Sequence, residues 1–209
     1  MFRDVHPHLQ EFFHMRTTVL AAVLALAGFG RADASTIYYT ESITTDGSLG
    51  GTAFTGKLVT LTFTADIANV TFFQGSGFTQ YTNVPTVSTV TVAGIGTATL
   101  SDAMSLSVFA FSTFSEFSVT DTALSTDILD TFAVTSGFAG YNMQVPLGPV
   151  SGGAAYSVGS PFGTNLGDFT FTKTGGGVST VAATAPEPSS LGLLAIGLFG
   201  VAARKRWYN

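Results

Sequence analysis

Between Val59 and Asp66 the chain alternates strictly: Val59, Leu61, Phe63 and Ala65 are apolar, while Thr60, Thr62, Thr64 and Asp66 are polar. A period of two gives an extended strand one apolar and one polar face, and a helix cannot segregate these side chains. A second run has the same period, with Met104, Leu106, Val108 and Ala110 set against Ser105, Ser107, Phe109 and Phe111. Its two phenylalanines predict a strand covered on both sides at the far end and central in its sheet. Further strands are predicted at 37–44, 69–73, 87–93, 97–100, 114–120, 132–135, 141–145 and 168–172. Asp46-Gly47, Gly50-Gly51, Gln74-Gly75-Ser76-Gly77, Gly94-Ile95-Gly96, Ser136-Gly137 and Ser151-Gly152-Gly153 supply turn chemistry between them. Many short strands at this spacing predict an all-β domain, an antiparallel β-sandwich or jelly-roll-like fold.

Charge and residue usage then exclude whole classes of function. From Ser35 to Ala185 the only cations are Lys57 and Lys173, against Glu41, Asp46, Asp66, Asp102, Glu116, Asp121, Asp127, Asp130 and Asp168. So acidic a domain is a poor partner for nucleic acid or an anionic membrane surface, which both require clustered Lys or Arg. Cysteine is absent from the chain, and His6, His8 and His14 all precede the strand-forming region. Disulfides, thiolate metal sites, the usual zinc centres and a Ser-His-Asp mechanism are therefore unavailable to it.

Both ends of the chain carry export features. Met15-Arg16, an apolar stretch from Val19 to Gly30, and Ala32-Asp33-Ala34 before Ser35 have the three regions of a secretory signal peptide. Residues 1–34 are read as that peptide with an upstream extension, translation starting at Met15 and signal peptidase cutting after Ala34, at a site formed by Ala32, Ala34 and Ser35. The domain proper is assigned to 35–174, followed at 175–185 by a flexible linker that opens on Gly175-Gly176-Gly177. Residues 186–209 form a tail in three parts: Pro186-Glu187-Pro188, an apolar run from Leu191 to Ala203 behind Ser189 and Ser190, and Arg204-Lys205-Arg206. The prolines hold an extended spacer. As a helix, the serines and the apolar run would measure roughly 22 Å at 1.5 Å per residue, short for a membrane span but within reach of local thinning and snorkelling. The basic cluster after it stays cytoplasmic as a membrane stop and places the preceding domain outside.

This tail resembles the PEP-CTERM sorting signal of Gram-negative bacteria, on the Pro-Glu-Pro element, the Leu/Gly/Ala-rich helix and the Arg-Lys-Arg end. The resemblance implies processing near Pro186, Glu187 and Pro188 by an exosortase-type membrane protease. It also implies transient anchoring in the inner membrane, delivery to the cell surface or extracellular space, and a host that makes exopolysaccharide or biofilm.

Within the domain the candidate sites compete with plainer readings. Asp121, Asp127 and Asp130 offer oxygen ligands for a calcium ion, but their spacing lacks the Asp-x-Asp-x-Asp-Gly pattern, and solvated turn carboxylates account for them. Glu116 with a nearby Asp has the residue types of a glycosidase pair. Phe78, Tyr81, Phe109 and Phe111 have the chemistry of a sugar-stacking platform, but burial in the core is the default in a domain with this many phenylalanines. Thr-rich strands suit ice or sugar, yet runs such as Thr60 to Thr64 and Thr170 to Thr172 repeat at no fixed period. The expectation is a structural or adhesive surface protein without cofactor, metal or catalytic residues, with a carbohydrate-binding module or a carboxylate-based hydrolase as rivals.

Overall fold

The computed structural model describes residues 36–134, 137–173 and 176–184, all within one compact unit. The segment read as a signal peptide, with Ala32, Ala34 and Ser35, and the tail from Pro186 through Arg204, Lys205 and Arg206, lie outside the described residues. Twelve strands follow one another: β1 (Thr36–Leu49), β2 (Thr52–Asp66), β3 (Thr71–Gly75), β4 (Phe78–Asn83), β5 (Val87–Val92), β6 (Gly96–Thr99), β7 (Met104–Phe111), β8 (Phe114–Asp121), β9 (Thr126–Val134), β10 (Leu147–Ala155), β11 (Phe169–Phe171) and β12 (Gly177–Thr184). A single 3-10 turn, Ile67–Asn69, is the one helical element among the described residues, and no helix there is long and apolar enough to cross a membrane.

The alternation read at 59–66 becomes the inner row of β2, with Val59, Leu61, Phe63 and Ala65 all buried. Long hairpin pairing with β1 sets Ile37, Tyr39 and Ile43 beside that row. Every named strand pair is antiparallel, and one path runs β3-β4-β7-β8-β9-β10-β12-β1-β2-β5-β6, with β11 on the end of β1. Strands distant along that path nevertheless meet across the core. Tyr39 on β1 packs its ring 5.8 Å from Phe117 on β8, and Asn83 on β4 donates from Nδ2 to the Tyr39 hydroxyl at 3.3 Å. The sheet is therefore folded over on itself into two facing layers, β3-β4-β7-β8-β9 and β12-β1-β2-β5-β6. Strand β10 passes between them, pairing with β9 only through Gly153 to Ala155 and with β12 from Leu147 to Gly153. The expected sandwich is thus made from one continuous sheet.

Several expectations need correction. The segment read as a flexible linker contains β12, an interior strand registered on both β1 and β10. Small residues there pack flat between neighbours; Val178, Thr180 and Ala182 are buried. Asp46-Gly47 is a bulge inside β1, and Ser151-Gly152-Gly153 lies in β10, where a side chain on Gly152 would strike the carbonyl of Phe132. Residues 141–145 are not a strand: the Tyr141 N–H closes a turn on Phe138 and Met143 takes a φ of 62°. Strand β7 is interior as expected, but its far end is not covered twice, because Phe109 is half-buried and Phe111 is 36% exposed. Strand β4 escaped detection because nearly every residue of Phe78–Asn83 is half-buried, which leaves no alternation to read.

Candidate functional site

Inward residues of β7 and β8, among them Leu106, Val108, Phe117 and Val119, fill the core, so their neighbours in sequence face outward. Register then stacks the outward side chains into ranks across β4, β7, β8 and β9. The first rank holds Phe78 opposite Phe111, followed by Phe114 across the Ser112-Thr113 turn. The second holds Gln80, Phe109, Glu116 and Phe132, continued onto β3 by Phe73. The third holds Thr82, Ser107, Ser118 and Asp130.

The rings form an unbroken chain. Phe73 lies 5.9 Å from Phe78, Phe78 5.6 Å from Phe111, Phe111 4.4 Å from Phe114 in a stacked pair, and Phe114 6.2 Å from Phe132. Phe109 joins at 6.2 Å from both Phe78 and Phe111. Such centroid spacings are those of mutually attractive aromatic pairs. Beside the rings, Gln80 Nε2 donates to Thr82 at 3.1 Å and to Ser107 at 3.2 Å.

The carboxylates sit at the far side of the same face. Burial pushes Asp130, only 4% exposed, up to about 7; the Ser118 hydroxyl opposes this, and Asp127 and Glu116 add to it. Glu116 is also raised, first by burial and then by the charge of Asp127. Asp127 itself is exposed and accepts from Thr120 Oγ1 at 2.8 Å and from Ser118 Oγ at 3.5 Å.

Of the four aromatic residues weighed as a platform against burial in the core, Phe78, Phe109 and Phe111 come together on the outer face. Tyr81 does not; it turns to the other face of β4 and pairs with Phe72 at 4.9 Å. Phe73, Phe114 and Phe132 complete the chain instead, and only strand register could have found them. Asp121 is separated from Asp127 and Asp130: it is buried on the inner face of β8 and accepts from the N–H groups of Ala123 and Leu124 at 2.8 and 3.0 Å, capping the turn. Among the described residues no three His, Cys, Asp or Glu are placed to hold a metal ion.

The outer face of the other layer is a hydroxyl grid. Ser179, Ser42, Thr60, Thr91 and Thr97 line up across β12, β1, β2, β5 and β6, with Thr40, Thr62, Thr89 and Thr99 in the adjacent rank. Ser42 and Thr60 hydroxyls meet at 3.2 Å, and those of Thr91 and Thr97 at 2.8 Å. Threonine runs that share no period along the chain are thus brought into order by pairing.

The chain's comparison with known proteins is informative at the tail. A PEP-CTERM protein-sorting motif matches residues 184–206. No curated protein and no solved structure matches the chain. That motif implies export and processing by exosortase, a membrane protein. By its tail, this chain is a PEP-CTERM sorting domain-containing protein.

Proposed function

We propose that the exported domain is a structural or adhesive component of the extracellular layer, and that it holds polysaccharide on the aromatic face of β4, β7, β8 and β9 without cleaving it. The observation behind this reading is the chain of rings from Phe73 to Phe132 on the outer face of an exported domain, with Phe73 and Phe111 exposed and Phe78, Phe114 and Phe132 half-buried. Contiguous apolar patches on soluble proteins mark interaction sites. Sugar rings present C–H faces that pack on aromatic faces, while their hydroxyls bond to polar groups at the margin; here Gln80, Thr82, Glu116 and Asp127 stand at that margin. In this reading signal peptidase removes residues 1–34, the tail anchors the chain transiently in the inner membrane, and processing at the Pro186-Glu187-Pro188 element releases it toward the cell surface.

A hydrolase is the second reading, because burial keeps Asp130 and Glu116 protonated to higher pH than an ordinary carboxylic acid, as a general acid requires. One experiment separates the two. The full chain is co-sedimented with its host's extracellular polysaccharide, and the polymer's length is followed over time. Binding that falls at least tenfold in a Phe111→Ala, Phe114→Ala double variant of unchanged melting temperature supports the adhesive reading; unchanged binding refutes it. Polymer shortening that disappears with Glu116→Gln would replace adhesion with hydrolysis.

A further inference from the structure

The folded sheet has two edges, and they differ. At β6 the edge is covered at its C-terminal end: the Thr99 N–H donates to Asn165 Oδ1 at 2.8 Å, and the Thr99 carbonyl accepts from the Asn165 N–H at 3.0 Å. Ser101 N–H donates to the Gly163 carbonyl at 2.9 Å just beyond. At the opposite edge, β3 pairs with β4 and with no other strand among those described. Its sequence, Thr71-Phe72-Phe73-Gln74-Gly75, contains no charge and no proline, and its pairing runs without a bulge. These are the devices by which proteins usually blunt an open edge. Phe72 and Phe73 are instead 56% exposed each, one on either face of the strand.

The phase of the open hydrogen-bonding groups follows from the hairpin. Ser76 and Gly77 form a two-residue turn closed by Gly75 opposite Phe78. The pair flanking such a turn exchanges both backbone hydrogen bonds, and alternation assigns the same to Phe73 with Gln80 and to Thr71 with Thr82. Phe72 and Gln74 therefore direct their N–H and C=O groups to the empty side.

We propose that β3 is the seam of a two-fold dimer, pairing antiparallel with β3 of a second copy of this chain about Phe73. Centring on Phe73 sets Phe72 opposite Gln74 of the second copy and Gln74 opposite its Phe72. The residues with free groups meet in two hydrogen-bonded pairs, and the two Phe73 side chains face each other in the closer, non-hydrogen-bonded position. Charge selects the same partner. Nine acids against two lysines between Ser35 and Ala185 make two copies repel in general, but β3 and β4 carry no charge and can approach. The cover at the end of β6 leaves β3 no equally open edge to meet head to tail, so the contact is isologous and closes at two. Because Phe73 already belongs to the aromatic face, the seam joins two such faces into one.

The chain has no cysteine, which makes the test direct. In the full chain held in detergent, Phe73→Cys is expected to give a disulfide-linked dimer on mild oxidation, since the paired Cα atoms would lie about 4.5 Å apart. Thr97→Cys on the β6 edge is expected to give no disulfide-linked dimer. Sedimentation of the unmodified chain should show a monomer–dimer equilibrium, and Phe73→Lys should weaken it at least tenfold with an unchanged melting temperature. A chain that sediments only as a monomer overturns the proposal. So does a Phe73→Lys variant that dimerises as the parent does, or a Thr97→Cys variant that cross-links as readily as Phe73→Cys.

Discussion

Thr131 on β9 donates its hydroxyl to Glu41 Oε1 on β1 at 2.6 Å, across the fold of the sheet and in full burial. Thr180 on β12 reaches the same oxygen at 3.2 Å, while Oε2 has no partner. Burial raises the proton affinity of Glu41 well above the usual carboxylate range, the hydrogen bond from Thr131 opposes this, and nearby Asp130 adds to it. A carboxyl with a raised folded-state pKa binds more protons folded than unfolded, so stability is greatest below the ordinary carboxylate value and is lost as pH rises toward the folded one. The melting temperature is expected to fall as pH rises above the ordinary carboxylate range. Glu41→Gln should flatten that fall, as a thermal melt series would reveal; an equally steep fall in the variant would assign the effect to Asp130 and Glu116.

Tyr39 supports a second crossing of the layers. Its hydroxyl donates to the Met143 carbonyl at 2.5 Å and accepts from Asn83, and burial pushes its pKa up to about 12, so it remains a donor at any ordinary pH. Tyr39→Phe keeps the ring on Phe117 but takes the donor from the Met143 carbonyl and leaves Asn83 Nδ2 only the Asp66 carbonyl as acceptor. A loss of about 1–3 kcal/mol is expected in denaturant unfolding.

What could be read from the chain and what could not divide along physical lines. The alternation at Val59 to Ala65 is local, and β2 lies where it points. Glu41 occupies an inward position of β1 between Tyr39 and Ile43, visible in the alternation once that strand is accepted, but its hydroxyl partners come from β9 and β12, which no local pattern connects. The aromatic face is hidden for the same reason: Phe114 and Phe132 join Phe111 through pairing. Residues 177–184 looked like a tether because small side chains signal flexibility in isolation, whereas between two strands they permit close packing.

Glycines in β10 provide a paired test of that packing. A Cβ on Gly152 would collide with the Phe132 carbonyl, whereas one on Gly153 meets nothing nearby. Neither residue has a positive φ, so steric room alone distinguishes them. Gly152→Ala is expected to cost about 1–3 kcal/mol through forced backbone displacement. Gly153→Ala should be neutral or slightly stabilising, and equal losses in the two variants would show that β10 is not held against β9 at this point.

Strand β12 ends at Thr184, and Ala185 alone separates it from Pro186. The strand pairs with β1 from Ile37 opposite Thr184 to Ile43 opposite Val178 and with β10 on its other side, so it joins the two halves of the sheet. Removing it would part β1 from β10 and expose the core that Val178 and Ala182 cover. Processing that leaves a folded product must therefore fall beyond Thr184. The intact mass of the protein recovered from its host is expected to end C-terminal to Thr184 when the processing enzyme is present and to include Asn209 when it is deleted. A processed mass ending within 177–184 would mean that the mature domain survives without β12. Inserting a Gly-Ser spacer between Thr184 and Pro186 should accelerate processing if the folded sheet hinders the enzyme, and a pulse-chase comparison of the two chains measures that hindrance.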